Sequence, residues 1–163
     1  MLLFGGGVGS KPGQLKFYVN ERALGTSTFE KKWIQSQRLS GLKWNKTIIV
    51  NVTTLDELIK EYGVPKFCKI DVEGFEYNVL KGLHHKIEYI SFEFSGEFLT
   101  EINKCVRLLE KLGKTQYNYS INENYELASK KWLSSRELIK KIQSMHGKDL
   151  CGDIYAKTEM DNS

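Results

Sequence analysis

From residue 47 onward, strand signals and helix signals alternate along the chain, and few architectures accept that order. Thr47-Ile48-Ile49-Val50-Asn51-Val52 is β-branched and apolar, which predicts a strand. Thr54-Leu55-Asp56-Glu57 reads as a capping box, with Thr54 at the N-cap and Glu57 three residues on. Leu55, Leu58, Ile59 and Tyr62 then fall on one helix face, and Gly63 and Pro65 end that helix. Phe67-Cys68-Lys69-Ile70-Asp71-Val72 is the next strand, followed by a short helix from Glu76 to Lys81 and a stop at Gly82. A strand from Tyr89 to Phe94 precedes a helix from Thr100 to Leu112, with Ile102, Val106, Leu109 and Leu112 facing inward and Gly113 closing it. Strand-like stretches cover Gln116 to Ile121 and Tyr125 to Ala128. A second capping box, Ser134-Ser135-Arg136-Glu137, opens a helix through Ile142, and Asp153 to Ala156 is a last strand.

Strand–helix–strand alternation with short links predicts an α/β fold with a mostly parallel sheet and helices on its faces. Ahead of it, Gln14 to Val19 reads as a strand and residues 20–45 as an irregular surface excursion. The expected organisation is one domain over residues 1–157, with residues 1–46 a hairpin and excursion, 47–157 the alternating core, and 158–163 a tail.

Eight Tyr, eight Phe and three Trp supply bulky core material, so a chain of 163 residues needs no covalent staples to fold. Trp33, Trp44 and Trp132 read as packing anchors. The net charge of +4 is spread along the sequence, with no basic stripe interleaved with aromatics, so nucleic acid is not an expected partner. Cys68, Cys105 and Cys151 are widely spaced and odd in number, which points away from a zinc knuckle and from a secreted disulfide scaffold. Cys68 and Cys105 sit in apolar patterns and read as buried free thiols. No apolar run reaches membrane-spanning length, so the expectation is a soluble cytoplasmic chain without a membrane partner.

In open α/β sheets, ligands bind beyond the carboxyl ends of the strands. Two strand ends here carry acids. In Lys69-Ile70-Asp71-Val72-Glu73-Gly74-Phe75-Glu76, Asp71 and Glu73 share a face if the strand persists to Glu73, and Gly74 leaves room for a ligand or backbone to approach. Glu93 lies between Phe92 and Phe94, where an acid is costly without a partner or a task. Plain structural roles stand beside these. Asp71 can cap the turn, Lys69 can pair with an acid on its own face, Glu93 can bridge to a lysine, and Glu76 can serve as a first-turn helix acid. His84-His85 follows a helix and is a weak metal candidate, and His146 lies in a polar stretch. On residue chemistry alone, a paired-carboxylate hydrolase and a metal site built from Asp71, Glu73 and Glu93 both remain open.

The stretch VTTLDELIKEYGVPKFCKIDVEGFEYNVLKGL resembles the signature of the FkbM family of S-adenosylmethionine-dependent methyltransferases. Thr54-Leu55-Asp56 matches its TLD element, Lys69 through Glu76 its K-I-D-V-E-G-x-E turn, and Val79-Leu80-Lys81-Gly82 its V-L-x-G. Ser91 to Phe94 and Gly152 to Ala156 look like later strands of the same family, so the likeness covers residues 5–157 and is densest over 52–94. The resemblance implies a Rossmann-like class I methyltransferase sheet with an antiparallel last strand. It further implies methyl transfer to a hydroxyl of a small molecule or sugar, with Asp71 or Glu93 taking the proton and Glu73, Gly74 and Lys69 on the substrate.

The family's cofactor elements come early: a strand, an Asp-x-Gly-like loop, a helix, and a second strand ending in Glu-Pro. No such pair of units lies ahead of residue 47. The opening MLLFGGGVGSKPG has the glycines of a nucleotide loop but leads through Pro12-Gly13 into a strand, so it reads as a hairpin turn. On the family's layout the chain matches the C-terminal portion of the domain. Its sheet would hold the fourth, fifth, seventh and sixth strands of the class, the strand at Phe67 would become an exposed edge, and Leu2 to Gly6 would pair elsewhere. The expectation is therefore the C-terminal portion of a methyltransferase, as a truncated gene product, a fragment or one part of a split protein, with weak or no cofactor binding of its own and, in the split case, an N-terminal half as partner. The alternatives are a non-catalytic remnant or binding module of the same fold, or an acidic-site metal-dependent hydrolase.

Overall fold

The computed structural model describes residues 4–36, 39–122, 124, 126–145 and 150–160. The chain forms two compact units, Met1–Gly63 with Val72–His84, and Val64–Asp71 with His85–Ser163. Each unit is built around its own sheet.

In the first unit, β1 (Gly7–Val8) runs parallel to β3 (Lys46–Thr53), and β2 (Gly13–Val19) runs antiparallel to β3, from Gly13 opposite Val52 to Val19 opposite Lys46. The glycine-rich opening is thus a short strand and a hairpin turn; of the expected Leu2 to Gly6 pairing segment, Leu2 and Leu3 lie outside the described residues, and the observed pairing falls on Gly7 and Val8. The excursion after β2 holds short 3-10 turns at Leu24–Thr26 and Trp33–Gln35 and an antiparallel bridge from Thr28 back to Tyr18. It is fastened locally: the buried Asn20 carboxamide oxygen accepts from the N–H groups of Arg22 and Ala23, and the Trp44 indole donates to the Thr26 carbonyl at 2.9 Å. Trp33 is an anchor as expected, 4% exposed.

The helix α1 (Leu55–Tyr62) starts where its N-cap lies, with Thr54 Oγ1 accepting from the Glu57 N–H at 3.1 Å, and it stops at Gly63, whose φ of 85° is left-handed. Ile59 is buried on its inner face, while Tyr62, at the last turn, is 53% exposed. A five-residue helix, α2 (Glu76–Leu80), completes the unit.

The second unit holds β4 (Phe67–Ile70), β5 (Tyr89–Ser95), α3 (Leu99–Leu112), β6 (Thr115–Tyr119), α4 (Ser135–Ser144) and β7 (Cys151–Thr158). Its sheet has the order β4-β5-β7-β6, the order expected for the back half of the class. The expected mostly parallel sheet is not found. Only β4 with β5 is parallel here, because β7 enters between β5 and β6 and runs antiparallel to both. The first unit likewise mixes one parallel and one antiparallel pair. Two further readings change. The strand at Phe67 stops at Ile70, two residues early, and residues 126–128 form no strand, Tyr125 lying outside the described residues together with His146.

Strand alternation sorts the second sheet into two faces. Ile70, Ile90, Phe92, Phe94, Ile154, Ala156, Tyr117 and Tyr119 make one face, each no more than 4% exposed. Ile102, Cys105, Val106 and Leu109 of α3 and Leu138 and Ile142 of α4 are buried with them. The Tyr117 hydroxyl donates to the Val106 carbonyl at 3.2 Å, which satisfies the one polar atom that this ring takes into the core. Cys105 is buried as expected, whereas Cys68 on β4 is half-buried. β4 pairs with a single strand among the described residues, and Phe67 is 53% exposed, so it is the edge that the sequence led us to expect.

The second capping box forms in full: Ser134 Oγ accepts from the Glu137 N–H, and the Glu137 carboxylate accepts from the Ser134 N–H and hydroxyl. Those hydrogen bonds, with a smaller contribution from Lys131, hold the Glu137 carboxyl down at about 2 against an ordinary 4.5. A carboxyl depressed on folding stabilises α4 above its unfolded value, and that contribution is lost as pH falls toward 2. Carboxyl carbon NMR should therefore show Glu137 titrating near about 2, with the Ser134 amide shift following the same midpoint.

Candidate functional site

The second sheet face, opposite the core, carries the polar side chains. Lys69 on β4 stands beside Ser91 on β5, Ser91 beside Tyr155 on β7, and Tyr155 beside Asn118 on β6. One step toward the carboxyl ends of the parallel pair, Glu93 lies opposite Asp153, and Asp71 follows the Ile70–Phe92 pair on the adjacent strand. A carboxylate oxygen of Asp71 lies within 4.8 Å of one of Glu93.

Lys69 organises this group. Its ammonium lies 2.5 Å from Asp153 Oδ1 and 3.5 Å from Asp71 Oδ2. Partial burial pushes the Lys69 ammonium down, but its hydrogen bond to Asp153 and the charges of Asp153 and Asp71 outweigh that, and the net shift is upward. The lysine therefore stays charged. The plain reading of Lys69, pairing with an acid on its own face, holds, and the acid with the shorter contact is Asp153, which the sequence marked only as the start of the last strand. The signal for it is strand alternation: Ile154 points into the core, so Asp153 points to the face that carries Lys69.

Glu73 and Gly74 belong to the first unit and are not an extension of β4. With the strand ended at Ile70 and φ values of 50° at Glu73 and 88° at Gly74, strand alternation does not place Asp71 and Glu73 on a common face. The Glu73 carbonyl accepts from Thr28 Oγ1 at 2.7 Å, and the Gly74 N–H donates to Glu76 Oε1 at 3.0 Å. The room left at Gly74 is taken by the Trp33 indole, 2.6 Å from where a Cβ would stand. Glu76 is a first-turn acid as expected, but buried, and it closes the turn ahead of its own helix.

The TLD and V-L-x-G elements meet in one joint. Asp56 accepts from the His84 N–H at 2.8 Å and contacts the His84 ring at 2.6 Å, while the Asp56 N–H donates to the Gly82 carbonyl at 3.2 Å. Two motif segments more than twenty residues apart are thus read by one local contact set, and His84 acts here as a partner of Asp56.

The second unit thus places carboxylates about a lysine at the carboxyl ends of a parallel strand pair, in a sheet of order β4-β5-β7-β6. Residues 6–132 match the family model described as the Methyltransferase FkbM domain, and the chain belongs to that family. Comparison with curated proteins and with solved structures gave no match.

The family implies use of S-adenosylmethionine in general. At Gly7 and Gly9 the glycine-rich stretch of this chain leaves no room for that group. A Cβ at Gly7 would meet the Phe29 ring at 2.6 Å, and one at Gly9 would meet Val52 at 3.0 Å, so protein side chains fill the space these glycines leave. The stretch continues into β2, and no helix N-terminus follows it. Among the described residues no helix is long and apolar enough to cross a membrane.

Proposed function

We propose that this chain supplies the acceptor side of an FkbM-type O-methyltransferase acting on a hydroxyl of a small molecule or sugar. The observation that carries the reading is the pairing of Asp71 and Glu93 beside a permanently charged Lys69 at the carboxyl ends of β4 and β5. An acceptor hydroxyl loses its proton as its oxygen attacks, and a carboxylate within hydrogen-bond reach takes that proton. Asp71 and Glu93 are the two carboxylates for this step, and Lys69 steadies negative charge on the acceptor oxygen. Lys69 also supplies the positive charge that a metal-hydrolase reading assigns to an ion. No step of this proposal is assigned to Glu73 or Gly74. The methyl donor is assigned to two strand–helix units that add to the free edge of β4, whether borne on this polypeptide or on another.

Two measurements test this. Calorimetry of the chain alone with S-adenosylmethionine should show no binding tighter than about 1 mM, a free energy of roughly 4 kcal/mol. Tight stoichiometric binding would overturn the assignment of the donor elsewhere. Mixing the chain with a polypeptide that carries the first two strand–helix units of an FkbM domain should transfer labelled methyl groups to a hydroxylated acceptor, and neither part alone should do so. A stable complex with no transfer across an acceptor panel would sink the enzymatic reading in favour of a binding module.

A further inference from the structure

We propose that the groove beside the Ser10–Gly13 turn, within the first unit, is a binding site for a small aromatic carboxylate. Its volume is about 520 Å³, within the range of small-molecule sites. Phe29 and Phe75 line it, and they belong to a run of ring contacts: Phe17 to Phe29 at 4.6 Å between centroids and Phe29 to Phe75 at 5.3 Å. Such rings offer a face or edge to another planar ring.

The polar part of the lining is one-sided. Lys11 and Lys16 both line the groove, and no Asp or Glu does. Some surface lysines of this chain have acids beside them, as Lys46 has Glu21, Lys114 has Glu159 and Lys131 has Glu137, and others, such as Lys43 and Lys60, have none among the described residues. Lys11 and Lys16 have no ion-pair partner among the described residues. Two uncompensated ammonium groups beside an aromatic wall complement a ring that carries one negative group, because the charge-assisted hydrogen bond and the ring contact are then made together. β2 is an edge strand of its sheet, so backbone N–H groups along the groove add donors suited to a carboxylate. Neither lysine belongs to the Asp71–Lys69–Glu93 group, so this site stands independently of the function proposed above.

The test is titration of the isotopically labelled chain with benzoate, followed by amide NMR. Shifts are expected at Ser10, Lys11 and Gln14 through Lys16, with saturation in the millimolar range. Benzamide, the neutral isostere, should bind about tenfold more weakly, and the double variant Lys11→Gln with Lys16→Gln should lose about tenfold for benzoate and nothing for benzamide. Both lysines are exposed, so overlaying thermal melts should show an intact fold. Should the double variant melt early, Lys16→Arg serves in its place: it keeps the charge and should retain benzoate binding. Equal affinity for benzoate and benzamide, shifts confined to other residues, or no saturation would each overturn the proposal.

Discussion

Replacing Gly82 with alanine is expected to lower the unfolding free energy by about 3 kcal/mol or more and the melting temperature by roughly 10 °C. An added Cβ would stand 2.3 Å from the Gly9 carbonyl oxygen and 3.2 Å from Thr54 Cβ. Neither neighbour can step aside cheaply. The Gly9 N–H is bound to the Thr53 carbonyl at 2.8 Å, and Thr54 is the N-cap of α1. Gly82 itself is tied down, since its carbonyl accepts from Asp56. Shifting it would loosen the Asp56–His84 contacts along with the clash, so the cost exceeds that of a single overpacked methyl group. Gly25 is the control. A Cβ there meets nothing within 4 Å, and alanine should be neutral or stabilise slightly by restricting the unfolded chain. Thermal or urea unfolding followed by circular dichroism separates the two. A Gly82→Ala chain as stable as the parent would mean that the joint between the TLD and V-L-x-G segments carries no strain.

That joint also marks the limit of what the sequence disclosed. Local chemistry was legible because it is short-range: Ser134 with Glu137, Thr54 with Glu57, and the stop at Gly63 all sit within a few residues of each other. The end of β4 was not legible. Val72 is β-branched and continued the strand pattern, but left-handed backbone at Glu73 and Gly74 closes the strand before it. Glu126, Leu127 and Ala128 lack the β-branched residues of a strand, and that segment gives β6 one backbone bond, from Ala128 to the Tyr119 carbonyl. The Asn118 carboxamide takes the next position in place of a ladder, bonding both the N–H and the carbonyl of Ser129. The antiparallel entry of β7 came from the family resemblance and not from any local signal. The Lys69–Asp153 contact spans 84 residues and depends on the register of three strands, which no pattern along the chain encodes.

The largest functional effects should come from the carboxylates beside Lys69. In the two-part transfer assay, Asp71→Asn and Glu93→Gln should separate, the residue that takes the proton losing about 10²- to 10⁴-fold in kcat and the other far less. Both substitutions remove a charge while keeping the side-chain shape, so loss of fold is not the expected cause. Lys69→Met tests the electrostatics behind this division. Without the ammonium, Asp71 and Glu93 remain within 4.8 Å of each other and Asp153 remains opposite Glu93, so like charges face one another without the Lys69 counter-charge. Like-charge neighbours favour the protonated form, which raises carboxyl pKa values. A base must be ionised to act, so the acid limb of the pH–rate profile should move to higher pH in Lys69→Met, and raising the pH should recover part of the rate. If Lys69 only packed against the sheet, the rate would fall equally at every pH. If Asp71→Asn and Glu93→Gln both transferred methyl groups at the parent rate, neither carboxylate would be the base, and the carboxyl ends of β4 and β5 would be a structural ion-pair group.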